Sequence, residues 1–233
     1  MTKKKLQRFA EMETFSNVFQ PELMEVLGRD FHLKGLWKEQ CFKNKNPLVL
    51  ELGCGKGEYT TGLARRFHNK NFIGIDIKGA RIWRGARTAL GEKLGNVMFL
   101  RTRIEFIGSF FGPGEVDEIW LTFPDPQLKK RRKRLTSSRF LNSYRRFLKP
   151  DGLVHLKTDN TVLYEFTLDL IRQNNLLLRC CSNDLYHSGL VDEILDIKTF
   201  YESQFLNQGM KINYLCFELP NDKEIKDPPG EQP

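Results

Sequence analysis

The amino-acid sequence predicts a single α/β domain in which a mostly parallel β-sheet carries helices on both of its faces. Short apolar runs alternate with helical patterns along the chain, the first run ends in a glycine-rich turn, and polar residues follow the ends of several runs. Strands that are joined through helices pair in parallel and bury both faces of their sheet. Because such sheets bind ligands outside the carboxyl ends of their strands, we expect the functional residues at that edge.

The predicted strands and helices follow one another in order from residues 47–52, a short apolar run that the glycine turn closes. Pro124 stops the fourth strand, and a Pro-Asp-Gly turn at residues 150–152 precedes the fifth. Two later apolar runs, 176–181 and 213–219, are candidates for final strands. The other predicted strands are 71–76, 97–100, 116–123 and 153–157, and the predicted helices are 57–67, 79–94, 136–148 and 161–174.

The two ends of the chain lack this alternation. Residues 1–46 show no clear periodic core pattern, and they predict an N-terminal extension with short helical pieces. Residues 220–233 are polar and rich in proline, a composition that buries little apolar surface, and they predict a disordered tail. The domain itself is therefore expected to span residues 47–219, without an internal repeat or a linker.

Composition excludes several classes of protein. The 233 residues are 40% hydrophobic and 28% charged, as in an ordinary globular domain. No apolar stretch reaches the roughly 20 residues that cross a bilayer, and no pattern of a secretory signal is present. The five cysteines form no Cys-x-x-Cys pair. We therefore expect reduced thiols, no metal site, no membrane association and a cytoplasmic protein.

Positive charge is concentrated in the middle of the chain. The net charge is +8 at pH 7, and residues 126–149 contain ten Lys and Arg residues without a single Asp or Glu. Such clustering fits a polyanionic partner, because Lys and Arg contact phosphates without reading the sequence of a nucleic acid. The alternative interpretation is a solvated charged loop, or a nuclear localisation signal in a eukaryotic host.

The glycine-rich turn after the first predicted strand has the character of a ligand-binding loop. Gly53, Gly55 and Gly57 let the backbone turn sharply, and the helix that follows points its N–H groups at a ligand. Glu58 stands where a dinucleotide fingerprint needs its third glycine, which argues against a nicotinamide cofactor. Asp76 ends the second predicted strand, where a carboxylate can accept hydrogen bonds from ribose hydroxyls. Alternatively, the turn binds no ligand and Asp76 only caps a helix.

An acidic residue, Glu51, stands two positions before the first glycine, and this Gly-x-Gly-x-Gly pattern resembles the first motif of class I S-adenosylmethionine-dependent methyltransferases. The resemblance implies a Rossmann-like class I methyltransferase fold and S-adenosylmethionine as the cofactor. It implies that Glu51 lies near the amino-acid end of the cofactor and that Asp76 contacts it. A further contact in this family follows the third strand, where backbone atoms of Arg103 and Ile104 are the candidates in this chain.

The fourth predicted strand ends in Phe123, Pro124, Asp125 and Pro126, at the edge where a site is expected. The two prolines fix the backbone around Asp125 and hold its carboxylate at that edge. Pro-Asp-Pro is also a good turn former, so a turn residue without a function is the alternative. The basic run that begins at Lys129 favours a functional role, because it places phosphate-binding charge beside the carboxylate.

Phe-Pro-Asp-Pro followed by Lys and Arg resembles the bacterial tRNA (guanine-N7-)-methyltransferases, the TrmB family. Residues 156–160, 199–202 and 212–219 extend the resemblance, which covers most of the chain from Leu48 onward. It implies a catalytic role and a cofactor contact for Asp125. It also implies that tRNA contacts six further residues: Lys129, Asp159, Thr199, Phe200, Tyr201 and Glu202.

The activity that this resemblance implies is transfer of a methyl group from S-adenosylmethionine to N7 of a guanine in the variable loop of tRNA. Guanine N7 carries a free lone pair, so alignment of the reacting atoms and exclusion of water replace a general base. We expect Asp125 to orient the guanine, or the cofactor beside it, and to offset the positive charge that develops on the base. Asp159 and Glu202 are expected to accept hydrogen bonds from the N–H groups of the base.

Two alternatives stay open at the level of sequence. One is a methyltransferase that acts on another RNA or on a small molecule, since it would share the glycine turn and Asp76. The other is a non-catalytic RNA-binding module that has kept the fold. Monomer and homodimer are equally compatible with the sequence.

Overall fold

The protein is built on an eight-stranded sheet with the order β1-β4-β3-β2-β5-β6-β8-β7, seen in a computed structural model that describes residues 3–229. Neighbouring strands from β1 to β6 are parallel, and only β8 runs antiparallel to its neighbours β6 and β7. The mostly parallel sheet predicted from the sequence is confirmed. The strands are β1 (Val18–Phe19), β2 (Leu48–Leu52), β3 (Asn71–Asp76), β4 (Val97–Arg101), β5 (Val116–Thr122), β6 (Leu148–Thr158), β7 (Leu178–Ser182) and β8 (Asn213–Glu218).

Helices cover both faces of this sheet, as predicted. They are α1 (Lys3–Glu13), α2 (Leu23–Val26), α3 (Glu58–Arg66), α4 (Gly79–Gly91), α5 (Ser138–Tyr144), α6 (Thr161–Gln173) and α7 (Phe200–Asn207). Tyr59 of α3 and Ile82 of α4 belong to the core on one face, whereas Phe140 of α5 and Leu163 of α6 belong to the core on the other. Within residues 3–229, none of the helices is long and apolar enough to cross a membrane.

Strand β2 lies where the order of the strands reverses, because β3 pairs with it on one side and β5 on the other. A crevice opens outside the carboxyl ends of the strands at such a point, and ligands bind there. Side chains alternate along β2, so Leu50 and Leu52 pack on the face of α5 and α6. Glu51, between them, points to the face of α3, and this places its carboxylate beside the glycine turn.

The N-terminal extension is part of the core. Its short helical pieces are confirmed by α1 and α2, but it also contributes strand β1, which pairs Val18 with Phe99 of β4 and was not predicted. Trp37 is fully buried, and its indole Nε1 donates a hydrogen bond to the Phe110 carbonyl oxygen at 2.8 Å. The boundary at residue 46 therefore separates segments of the sequence rather than independent units of packing.

The C-terminal segment packs against α5 and α6, which contradicts the disordered tail predicted for residues 220–229. Ile225 is only 2% exposed and joins the core on that face. Its backbone N–H and carbonyl oxygen both bond to the side chain of Asn142 at 3.0 and 2.8 Å, and Asp227 accepts from the Ser138 N–H at 2.6 Å. Burial of one apolar residue and hydrogen bonds to its backbone therefore hold this polar segment in place. Residues 230–233, also part of the predicted tail, lie outside the described residues.

Helix α5 is shorter than the predicted helix 136–148. It ends at Tyr144, and β6 already begins at Leu148, which pairs with Val116 of β5. Residues 148–152, which the sequence predicts as a helix end and a turn, therefore belong to β6, whose register on β5 shifts between Leu148 and Leu153. Asp151 in this stretch has a φ of 61°, so a local irregularity of β6 takes the place of the predicted turn.

Candidate active site

The glycine turn leaves an open face toward the crevice. Gly53 has a φ of 82°, a left-handed conformation that favours glycine, and a Cβ added there would meet no atom within 4 Å. The N–H groups of Gly53 and Cys54 donate to the Ile75 carbonyl oxygen at 2.8 and 3.0 Å, which ties the turn to the end of β3. Gly55, with a φ of 56°, continues this open backbone. A ligand can therefore approach the main chain closely at Gly53 and Gly55.

The third glycine has a different task. Gly57 also has a positive φ of 68°, but a Cβ added there would lie 2.6 Å from the Phe99 ring and 3.1 Å from the Gly85 Cα. The turn is therefore packed tightly against α4 and β4 at this point. The predicted ligand contact fits Gly53 and Gly55, whereas Gly57 lets the start of α3 sit against its neighbours.

Glu51 is buried beneath the glycine turn, and two threonines hold its carboxylate. One carboxylate oxygen accepts from the Thr60 N–H at 2.8 Å and from the Thr60 hydroxyl, and the other accepts from the Thr122 hydroxyl. Burial raises the pKa of Glu51 to about 7, although these three hydrogen bonds oppose the rise. A cation bound next to this carboxylate would therefore stabilise its ionised form.

Asp76 links the end of β3 to the glycine turn. Its Oδ2 accepts from the Gly55 N–H at 3.0 Å, and its Oδ1 accepts from the Lys78 N–H at 2.7 Å. Each carboxylate oxygen has two acceptor positions, so both oxygens keep capacity for a further donor. This is the position that the sequence predicted for a carboxylate that accepts from hydroxyl groups of a ligand.

Two clefts meet at Gly53. The larger, of about 450 Å³, extends over the ends of β3 and β4, and Asp76, Arg103 and Ile104 are among its lining residues. The smaller, of about 90 Å³, lies between the glycine turn and the segment that starts α7. Its lining residues are Glu51, Gly53, Cys54, Gly55, Lys56, Glu58, Arg81, Thr122, Phe123, Thr199 and Tyr201. The structure therefore brings Glu51, Asp76, Arg103 and Ile104 to the same edge of the sheet.

The loop after β5 is held in an unusual backbone conformation around Asp125. Phe123 and Gln127 have positive φ values of 49° and 46°, which non-glycine residues adopt rarely and which cluster at functional sites. Asp125 is exposed, and its Oδ1 accepts from the Gln127 N–H at 3.0 Å. The loop therefore presents the carboxylate to solvent beside the crevice, with one oxygen fixed by the backbone.

Asp159 and the start of α7 lie beyond this loop. Asp159 follows the end of β6, and partial burial raises the pKa of its carboxyl group. Phe200 and Tyr201 are 50% and 45% exposed, although both carry large aromatic rings. Lys56 of the glycine turn places its ammonium nitrogen 4.4 Å from the centre of the Phe200 ring, so the two segments meet across the smaller cleft.

Glu202 does not face either cleft, which contradicts its predicted contact with the base. It is 0% exposed and forms an ion pair of 2.7 Å with Lys157, which is also 0% exposed. The Tyr186 hydroxyl donates to the same carboxylate at 2.6 Å, and Glu202 and Thr199 cap the start of α7 reciprocally. Because its oxygens are already bonded inside the protein, Glu202 anchors the segment that carries Thr199 and Tyr201.

Lys157 completes this buried anchor. Its ammonium group also donates to the carbonyl oxygens of Leu195 and Ile197 at 2.7 and 3.2 Å. Burial lowers the pKa of Lys157, and the carboxylate of Glu202 opposes this shift. A single side chain at the end of β6 thus fixes both the loop before α7 and the first turn of α7.

The basic run after Asp125 divides into exposed and structural side chains. Lys129, Lys130, Arg132 and Lys133 are exposed and free to meet an anion. Arg134, in contrast, is only 4% exposed, and its Nε donates to the Pro126 carbonyl oxygen at 3.0 Å. Arg131 bonds to carbonyl oxygens of the C-terminal segment and lies over the Phe166 ring together with Arg134.

Sequence reasoning missed three residues that support the site. Thr60 and Thr122 hold Glu51, and Lys157 holds Glu202. Thr122 directly precedes the Phe-Pro-Asp-Pro motif, which is a weak signal for a role. Thr60 lies nine residues after Glu51 in a different element, and Lys157 of β6 is far from Glu202 of α7 in the sequence, so no local pattern indicates either contact.

A larger groove of about 760 Å³ lies at the opposite edge of the sheet, before the start of β5. Its most buried carboxylate, Glu115, already accepts from the backbone N–H groups of Gly35, Trp37 and Gly112. Glu115 therefore has a structural role in this groove, which lies far from the site residues at the carboxyl ends of the strands. Among residues 3–229, no cluster of three His, Cys, Asp or Glu side chains is arranged to hold a metal ion.

Comparison with solved structures defines the class of fold. A 16S rRNA methyltransferase, KamB, superposes with a TM-score of 0.61 at 15% identity, over 78% of this chain and 92% of that one. A geranyl diphosphate C-methyltransferase from Streptomyces coelicolor A3(2), solved with S-adenosyl-L-homocysteine, gives a TM-score of 0.50 at 16% identity, over 91% and 79%. The fold is that of the class I S-adenosylmethionine-dependent methyltransferases.

Comparison with known sequences defines the family. The family model described as "Putative methyltransferase" matches residues 45–215. A tRNA (guanine-N(7)-)-methyltransferase of Bacteroides fragilis is 52% identical over 98% of this chain and 90% of its own length. The enzyme of the same name from Christiangramia forsetii is 51% identical over 94% and 99%. The chain therefore belongs to the tRNA (guanine-N(7)-)-methyltransferase family.

Proposed function

We propose that the protein transfers the methyl group of S-adenosylmethionine to N7 of a guanine in tRNA, in the variable loop. The observation that carries this proposal is the meeting of two clefts at Gly53, one lined by Asp76 and the other by Glu51, Thr199 and Tyr201. One cleft suits the cofactor, the other lies where the cofactor meets a substrate, and exposed cations flank both. Because its substrate is tRNA, we place the enzyme in the cytoplasm.

The residues of the larger cleft fit an adenosyl group. The open face at Gly53 leaves room that a side chain would fill, and Asp76 keeps acceptor capacity for the two ribose hydroxyls. Arg103 and Ile104 also line this cleft, and their backbone atoms are proposed to contact the adenine base. When bound, the cofactor supplies an electrophilic methyl group on a positively charged sulfur.

Glu51 suits the amino-acid end of the cofactor. Its carboxylate is buried and fixed by Thr60 and Thr122, so it is already oriented before a ligand binds. An ammonium group placed next to it would lower the raised pKa of Glu51, and the ionised carboxylate would in turn hold the ammonium group. The side chain therefore orients the cofactor rather than moving a proton in the reaction.

On the substrate side, the chain needs to hold a guanine in line with the methyl group and to exclude water. N7 of guanine attacks with its own lone pair, so no side chain has to remove a proton. Methylation leaves a positive charge on the base, and the exposed carboxylate of Asp125 at the edge of the crevice offsets it. The backbone fixes one oxygen of Asp125, and the other has no hydrogen-bond donor within residues 3–229.

Five further residues are proposed to bind the base and its neighbours. Asp159 has no hydrogen bond from another side chain within residues 3–229, so it can accept from N–H groups of guanine. Phe200 and Tyr201 offer exposed rings on which a base can stack. Thr199 lines the smaller cleft, and Lys129 begins the exposed cations that contact phosphates.

Methyl transfer from labelled S-adenosylmethionine to unmodified tRNA, followed by nucleoside analysis, tests this function. We expect 7-methylguanosine as the labelled product, and we expect the Asp125→Ala variant to lose it while it still binds the cofactor. Label in a small molecule but not in tRNA would favour a methyltransferase with a different substrate. Binding of cofactor and tRNA without any transfer would favour an RNA-binding module that has kept the fold.

A further inference from the structure

A second basic surface lies on the face of the sheet opposite the basic run. It is a groove of about 490 Å³ between α3, α4 and the segment that leads into α7, and we call it the α3/α4 groove. Five of its lining residues are cations and two are carboxylates. The cations are Lys56, Arg65, Arg66, Arg84 and Lys198, and the carboxylates are Glu58 and Asp196.

Some of these charges are already used inside the protein. Arg65 forms a bidentate ion pair with Glu92, at 2.5 and 2.7 Å, which raises the pKa of Arg65. Lys198 pairs with Asp196 at 2.5 Å. Once these pairs are set aside, three cations remain without a carboxylate within salt-bridge distance in residues 3–229: Lys56, Arg66 and Arg84.

The remaining carboxylate of the groove is occupied by the backbone. Glu58 accepts from the Phe200 N–H at 2.8 Å, which supports the first turn of α7. Its negative charge stays in the groove, but five cations against two carboxylates still leave an excess of positive charge. Arg66 and Arg84 are exposed on neighbouring helices, and Lys56 lies over the Phe200 ring. The groove therefore combines unpaired positive charge with an exposed aromatic side chain, the two features that hold the backbone and the bases of single-stranded nucleic acid.

The α3/α4 groove runs directly into the smaller cleft. Lys56 and Glu58 line both, and Phe200 in the groove is followed in sequence by Tyr201 in the cleft. The basic run, in contrast, leads from Asp125 to the face of α5 and α6, where Arg131 and Arg134 contact Phe166. Positive charge thus flanks the edge of the sheet from both faces, with the two clefts between.

We propose that the α3/α4 groove binds the tRNA backbone on one side of the target guanine, while Lys129 to Lys133 bind it on the other. The inference rests on the proposed function, because it gives the RNA that enters the site a second set of phosphate contacts. The guanine is then presented from a strand held at both sides of the sheet edge. Phosphate contacts of this kind position the RNA without reading its sequence.

The double variant Arg66→Gln/Arg84→Gln tests the groove, because Gln keeps helix propensity and only removes charge. We expect the KM for tRNA to rise about three- to tenfold near 0.1 M salt, with kcat at saturating tRNA unchanged. The slope of log affinity against log salt concentration should fall by about two, close to one for each cation removed. The single variant Arg84→Gln should lower this slope by about one.

The matched control is Arg172→Gln/Arg179→Gln, which removes the same charge near the opposite edge of the sheet. Arg172 lies in the last turn of α6 and Arg179 near the start of β7, and we expect neither to change the salt slope. The groove proposal is wrong if the two double variants have the same KM and the same slope, or if only kcat falls. Wild-type 7-methylguanosine formation is measured in the same reactions, so failure of the proposed function would show in the wild type and not in this comparison.

Discussion

The two sides of the crevice differ in how far their polar groups are already bonded within the protein. On the side of β2 and β3, Glu51 and Asp76 are fixed by backbone N–H groups and by threonine hydroxyls. On the side of β5 and β6, Asp125 and Asp159 have few or no partners, and the aromatic rings at the start of α7 are exposed. A small cofactor can bind a site that is already formed, whereas a large RNA can supply the missing partners itself.

The ion pair of Lys157 and Glu202 explains how the β5 and β6 side of the crevice keeps its position although the side chains at its surface have few partners. The pair is fully buried and holds the loop at Leu195 and Ile197 together with the start of α7. The exposed residues Phe200 and Tyr201 therefore extend from a rigid base. The side chains that we propose bind the substrate are thus exposed, while the backbone that carries them is fixed.

The largest effect is expected from Lys157→Met, which leaves the Glu202 carboxylate buried without its cation. We expect the free energy of unfolding to fall by about 3–5 kcal/mol, measured by urea denaturation. Arg172→Met is the control, since its ion pair with Asp169 is exposed, and it should cost less than about 1 kcal/mol. Equal losses in the two variants would contradict the role of the buried pair as an anchor.

A substitution of Glu202, the other member of the ion pair, tests the same anchor further. Adding Glu202→Gln to Lys157→Met removes the unpaired charge, so the double variant should be more stable than Lys157→Met alone. Relative to the wild type, the double variant should still show a larger rise in the KM for tRNA than in the Kd for the cofactor, because the start of α7 loses its anchor. An unchanged KM for tRNA would show that Glu202 has no influence on binding of the substrate.

Asp125→Asn removes the charge of the exposed carboxylate and keeps its shape. We expect kcat for methyl transfer to fall about 100-fold or more, because the developing charge on the base loses its partner. The melting temperature should stay the same, since Asp125 is exposed. Single-turnover transfer with saturating cofactor and tRNA measures the effect, and Asp169→Asn on α6 is the control. Near-normal turnover of Asp125→Asn would remove Asp125 from the catalytic site.

Cofactor binding is expected to depend on pH through Glu51. The pKa of Glu51 is raised to about 7 without ligand, so below this pH binding has to ionise the carboxyl group first. Affinity for S-adenosyl-L-homocysteine should therefore rise about tenfold between pH 6 and 8 and level off above that range. Calorimetry at several pH values measures this rise, and Glu51→Gln should bind more weakly without it. A wild-type affinity that stays constant over this range would contradict the proposed contact.

The apo protein should show the opposite trend in stability. Because the folded state holds the Glu51 proton to a higher pH than the unfolded chain, the contribution of Glu51 is fully present below pH about 4.5 and is lost as pH rises to about 7. The Glu51→Gln variant should lack this part of the pH dependence. Denaturation of both proteins in urea between pH 4.5 and 8 compares the two slopes.

The smallest effects distinguish cations of the basic run from one another. Lys129→Gln/Lys130→Gln should lower the salt slope of tRNA binding by about two and leave the melting temperature unchanged. Arg134→Gln, in the same run, should lower the melting temperature instead, because this side chain is buried on Phe166 and bonded to Pro126. The same response from both variants would mean that the division into exposed and structural cations is wrong.

The parts of the fold that the sequence predicted are those that local patterns determine. Strands β2 to β5 follow apolar runs, and the positive φ at Gly53 follows from the glycine itself. Strand β1 was missed because two residues carry no periodicity, and the order of the segment around Ile225 depends on Asn142, far away in the chain.

The residues of the candidate site divide in the same way: local patterns identified some of them, and contacts between residues distant in sequence decided the position of others. Glu51, Asp76 and Asp125 could be placed at the sheet edge because each lies at or just after the end of a predicted strand. Glu202 was assigned to the substrate from its motif, but its burial depends on Lys157, which sequence order does not connect to it. Likewise, the burial of Arg134 among exposed cations depends on the ring of Phe166, so charge alone could not separate it from its neighbours.

The central claim is that N7 of a guanine in tRNA attacks the methyl group directly, and a tRNA transcript made with 7-deazaguanosine tests it most directly. This base lacks N7 and keeps its Watson–Crick edge. We expect the protein to bind this transcript with nearly the affinity of the ordinary transcript but to transfer no methyl group to it. Transfer to the 7-deazaguanosine transcript at the ordinary rate would show that another atom receives the methyl group, and would contradict the account.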